Sequence, residues 1–412
     1  MEIVVSKIQK QMEVGMSDLV NSSSKQLNRR ELGKIALAGA VLSGAFSSVR
    51  IVAALSQTPS QSGSTTEQVP VYQVDPAWPK PLPNNWVLGT VCGVAVDRQD
   101  HVWIVHRPDS VLPNPQQPLA HAAPPVLEFA ADGTLLASWG GPGSGYEWPQ
   151  EEHGIYVDLR DNVWLAGAAN KDNQILKFTS NGKFLMQIGH AGQNRGSDDK
   201  ENLGGPAAMA IDNAANELYV ADGYVNHRIV VLDATTGAFK REWGAYGKRP
   251  DDSYYTKLGI KPGQHSSKLN KGIPGPPSPQ FDLVHGVAIS KDGLVYVCDR
   301  TNNRLQVFRK DGTFVQEVFI ANDLLGSGTV SDIGLSVDPR QRFAFVADID
   351  NDRVYILDRK SLKVLSTFGS HGELPGQFRG PHNMAVNSKG DIFITESGGG
   401  RVQRFVQAGT KP

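Results

Sequence analysis

The chain predicts an all-β protein, a six-bladed β-propeller over residues 71–412 whose ring is closed by an N-terminal strand. Three observations carry this. The stretch Phe281–Ile320 reads as four short strands joined by tight turns: VHGVAI stops at SKDG, LVYVC at DRTNN, RLQVF at KDG, and TFVQEVFI follows. First-strand copies of that unit recur six times, as GTVCGVAVD, EEHGIYVD, GPAAMAID, LVHGVAIS, SDIGLSVD and GPHNMAVN. The last copy supplies only three strands, HNMAV, DIFITE and RVQRFV, while VYQVDPAW (Val71–Trp78) stands as a spare alternating strand ahead of the first copy. Added to the sixth unit as its outer strand, that segment closes the ring and removes both free edges.

Residues 1–70 read as a leader rather than as fold. NRRELGK places Arg29 and Arg30 before the uncharged apolar run Ile35–Phe46, and Ser-, Gln- and Thr-rich sequence follows. Paired arginines before a modest apolar segment resemble a twin-arginine export signal, and the run is short for a bilayer span. The expectation is a periplasmic or secreted protein, with an uncleaved signal acting as membrane anchor as the alternative. Cys92 and Cys298 fall in different units without CxxC spacing, and read as small buried side chains rather than a disulfide. With 41 Lys+Arg against 42 Asp+Glu, no basic excess marks a nucleic-acid partner, and nothing calls for an obligate protein partner.

Aligning the six first strands puts Cys92, His153, Ala207, His285, Ile333 and His382 in one column. First strands line the central channel of a propeller, so histidines in the second, fourth and sixth units form a ring around the axis. A lone histidine at a strand start is usually a satisfied core or surface residue. Three at alternating equivalent positions point to a metal site, and three imidazoles with one open position suit zinc.

Three insertions, Arg107–Pro125, His190–Gly205 and Ala245–Gln280, interrupt the repeat. Chain direction brings them, the histidine-bearing strand starts and the ends of all second strands to one face, where they would wall a substrate pocket. Among the second-strand ends, Arg107 and Arg300 offer cations for a carboxylate and Tyr224 a phenol able to move a proton. The bland alternative is that the arginines are solvated rim residues and Tyr224 is packing.

The pieces GVAVD…VHR, HGIYVD, ADGYVNHRIVV, VHGVAIS…VCDR and PHNMAV resemble NHL-type repeats and, as an ordered set over Thr90–Val406, peptidyl-α-hydroxyglycine α-amidating lyase. That resemblance implies His153, His285 and His382 as zinc ligands, and Arg107, Tyr224 and Arg300 as active-site residues. It also implies a structural calcium on the axis, held by the main-chain carbonyls of Val94 and Ile155 and by Asn383, which stands where the family has Asp. Gly380 replaces a family Met. The implied reaction is zinc-dependent C–N cleavage of a carboxylate-bearing α-hydroxyglycine substrate, peptide or small molecule, to an amide and glyoxylate, with Arg107 expected to hold the carboxylate, Arg300 to support it and Tyr224 to transfer the proton. Two other readings stay open: a non-catalytic propeller binding protein or glycan, and a metal-dependent hydrolase of lactone type.

Overall fold

The computed structural model describes residues 68–261, 263–265, 277–324 and 326–411. The leader and its paired arginines lie outside these residues. So does part of the Ala245–Gln280 insertion.

Among the described residues there are six four-stranded antiparallel sheets, one per repeat. Their inner strands are Thr90–Val96, Glu152–Val157, Pro206–Asp212, Val284–Ile289, Asp332–Leu335 and Pro381–Val386. Blade 4 follows the sequence reading closely: its strands are Val284–Ile289, Leu294–Asp299, Arg304–Arg309 and Phe314–Phe319. Alternation produces this, because each strand sends one side-chain set into each flanking seam. The result is six apolar clusters, each built from two neighbouring blades; Val94, Ile104 and Leu127 of blade 1 pack with Phe393 and Val402 of blade 6.

The first strand is Val69–Asp75, and it runs antiparallel to Arg401–Lys411, from Val69 opposite Lys411 to Asp75 opposite Arg404. The chain's start thus completes the blade its end began. Cys92 and Cys298 are free and buried.

One position in the sequence alignment is corrected by strand pairing. Ile289 pairs with Val295 in blade 4 and Leu335 with Ala344 in blade 5, and Gly286–Cys298 corresponds to Asp332–Ala347. The fifth-blade counterpart of His285 is therefore Ser331, not Ile333. Blade 5 joins its first two strands through a longer turn, residues 336–342, so aligning on the Val-x-Asp ending slid that unit by two residues.

Candidate metal centre

In five blades the aligned column falls where register slips, between Val91/Gly93, Glu152/Ile155, Pro206/Ala208, Val284/Gly286 and Pro381/Met384. A bulge turns its extra residue out of the pleat, and here turns it to the axis. Inner strands also approach very closely. A Cβ on Gly93 would lie 2.4 Å from the His153 carbonyl oxygen, and one on Gly154 2.6 Å from that of Ala207. Glycine after Cys92 and after His153 is thus what lets neighbouring blades close around the histidines.

The three imidazoles are buried, and one ligand atom from each lies within 4.8 Å of the others. Each ring is fixed by the next blade: His153 Nδ1 donates to the Ala207 carbonyl at 2.8 Å, His285 Nδ1 to Ser331 at 2.6 Å, and His382 Nδ1 to Cys92 at 3.1 Å. A carbonyl only accepts, so the proton is on Nδ1 and every Nε2 turns a lone pair inward. Tyr224 Oη stands 2.9 Å from His153 Nε2 and 3.1 Å from His285 Nε2. One phenol proton cannot serve two lone pairs, and three converging lone pairs with a single donor are an arrangement a cation satisfies. Burial, then neighbouring positive charge, pushes all three histidines down, His382 to about 3. The rings stay neutral, as ligation requires.

The rim residues expected at the site stand around it. Both arginines lower the pKa of His153 and His382 and oppose the rise that burial imposes on the Tyr224 phenol. The two differ in commitment. Arg107 Nε donates to the Glu152 carbonyl at 3.0 Å, and its Nη1 pairs with Glu151 at 3.0 Å. Arg300 is 9% exposed, its Nε is buried without a hydrogen-bond partner, its side chain hydrogen-bonds the Tyr224 phenol, and among the described residues no carboxylate pairs with it. Gly328, at φ +113°, lets a loop lie against it, since a Cβ there would be 2.8 Å from Arg300 Cγ. A buried guanidinium without a countercharge beside three imidazoles can receive an anion. Sequence reasoning gave the carboxylate to Arg107, with Arg300 in support, from position on the rim and the family resemblance. It missed the Glu151 and Glu152 partners, and it missed Asp332, which the two-residue slip hid.

NHL repeat models match residues 281–308 and 378–405. The chain carries NHL repeats. This NHL-repeat propeller is homologous to peptidyl-alpha-hydroxyglycine alpha-amidating lyase 1 of Drosophila melanogaster, 28% identical over 366 residues, covering 81% of this chain and 60% of that protein. It is 23% identical to peptidyl-glycine alpha-amidating monooxygenase A of Xenopus laevis over 85% of this chain and 35% of that protein. NHL repeat-containing protein 3 of Mus musculus is 25% identical over 82% of this chain and 84% of its own length. The chain therefore spans less than two thirds of the fly lyase and about a third of the frog monooxygenase.

Proposed function

We propose that this NHL-repeat propeller is a zinc-dependent lyase that cleaves an α-hydroxyglycine-type carbinolamide, N–CH(OH)–COO⁻, to an amide and glyoxylate. The observation that carries the reading is the convergence of three buried Nε2 lone pairs beside Tyr224 and an unpaired Arg300. His153, His285 and His382 would hold the zinc ion, which would supply Lewis acidity to the site when bound.

The chain's own groups do the rest. Arg300, which no carboxylate of the described residues neutralises, anchors the substrate carboxylate, and Arg107 supports from the rim, where Glu151 competes with substrate for its guanidinium. Tyr224 Oη, held among the imidazoles, relays the proton: it gives its phenol proton to the departing nitrogen and takes up the substrate hydroxyl proton in its place. As C=O forms, the C–N bonding pair leaves with nitrogen, which takes up a proton to give the amide. No electron acceptor is needed, and no nucleophilic Ser or Cys takes part.

The test is glyoxylate release from an α-hydroxyglycine compound, run with metal analysis on wild type and His285→Ala. The expected outcome is one zinc per chain and turnover in wild type, both lost in the variant, because two ligands hold zinc weakly. Stoichiometric zinc in His285→Ala would remove it from the ligand set. Zinc without glyoxylate would leave a binding propeller.

A further inference from the structure

Beneath the histidine ring the channel continues as a cavity of about 430 Å³ toward the opposite face, lined by Val94, Ile155, Met209, Asp332 and Asn383 among others. The layer after the histidine column, corrected for the blade 5 slip, reads Gly93, Gly154, Ala208, Gly286, Asp332 and Asn383. Four members have no side chain or a methyl, and the two that carry oxygen sit on adjacent blades.

Asp332 is 7% exposed, and among the described residues no Lys, Arg or His pairs with it. Its carboxylate receives the Met384 amide at 2.9 Å and Asn383 Nδ2 at 3.1 Å. Gly286 makes room for it, since a Cβ there would be 2.6 Å from Asp332 Oδ1. The hydrogen bond to Asp332 fixes the Asn383 amide. Its Oδ1 is then left buried with no partner in a residue 5% exposed. Burial alone pushes the Asp332 carboxyl up to about 7, against those hydrogen bonds. A buried carboxylate without a countercharge, beside an orphaned amide oxygen on a channel wall, is an incomplete set of hard oxygen donors.

We infer that the channel holds a calcium-class cation whose charged ligand is Asp332 on blade 5, with Asn383 Oδ1 of blade 6 as its neutral neighbour. The family resemblance puts the acid at the blade 6 position; in this chain the charge has moved one blade back, and Asn383 does not leave the site uncharged. Calcium accepts mixed carboxylate, amide and carbonyl oxygens at about 2.3–2.6 Å, so the carbonyls of Val94 and Ile155 remain available to it. The inference shares the channel with the lyase reading but not its chemistry.

Full-length protein stripped with EGTA is titrated with calcium chloride by calorimetry and followed by thermal unfolding, with zinc content and glyoxylate release measured alongside. One calcium per chain and a higher Tm are expected in wild type. Asp332→Asn should weaken calcium at least tenfold with zinc unchanged, and Asn383→Asp should tighten it at least tenfold. Wild type that ignores millimolar calcium, or Asp332→Asn with wild-type affinity, would overturn the inference. Should Asp332→Asn fail to fold, unaltered affinity in Asn383→Asp overturns it equally. Calcium binding without glyoxylate release would count against the lyase reading alone.

Discussion

Arg300 and Arg107 have the same charge and face the same imidazoles, yet only Arg107 is paired with a carboxylate. Arg300→Ala is expected to lower kcat/KM for an α-hydroxyglycine substrate roughly 30- to 1,000-fold, about 2–4 kcal/mol, and Arg300→Lys somewhat less, because charge survives but the fork does not. Arg107→Ala should cost less, since Glu151 already occupies that guanidinium. Zinc content should hold in all three. Steady-state kinetics on the variants decides the order, and a larger loss at Arg107 would move the anchor to the rim. At this scale the histidine column was legible because identical residues recur at a fixed phase of the repeat. Commitment of an arginine was not, because its partners come from the next blade.

At the scale of the element, one motif organises the turn after the second strand in blades 3, 4 and 6: an acid ending it, Asn or Gly within the turn, and Arg opening the third strand. Asp222–Arg228 and Asp299–Arg304 are ion pairs at 2.8 Å with both side chains fully buried, and Glu396–Arg401 repeats the contact at 2.6 Å. Asn226 and Asn302 each donate to the same acid at 2.8 Å. Arg228→Ala would strand Asp222 in the interior, and urea unfolding should show a loss of about 3–5 kcal/mol. Blade 5 departs from the pattern. Arg353 turns to the Asn351 carbonyl at 3.3 Å, and burial pushes the unpaired Asp348 carboxyl up to about 6 from 3.8. A carboxyl raised in the folded state contributes stability that is complete below pH 3.8 and lost as pH rises through about 6. Asp348→Asn should therefore gain on wild type by up to about 3 kcal/mol between those limits. Parallel pH profiles for the two proteins would show that Asp348 titrates normally.

At the scale of the whole molecule, the ring depends on a strand that is remote in sequence from the blade it completes. Val69 is 5% exposed in the seam between blades 5 and 6, with Tyr72 and Val74 packed against the same cluster. Removing residues 68–75 would expose the edge of Arg401–Lys411 and forfeit roughly 3–6 kcal/mol of apolar burial. Calorimetry should show a lower Tm, and size-exclusion chromatography concentration-dependent association through the bare edge. A truncated protein that stays monomeric at the wild-type Tm would mean the last blade is stable with three strands.

By itself the sequence determined the propeller, its six units, the closing strand and the histidine ring, because each is written in local alternation, turn residues and the phase of a repeat. Tertiary structure decided which nitrogen each histidine turns inward, which arginine is unpaired, and that Asp332 stands in the layer beneath the ring. The physical reason is that these depend on contacts between neighbouring blades. A longer turn in blade 5 shifts the written phase by two residues without shifting the strands, and only the pairing of Leu335 with Ala344 shows where the side chains fall.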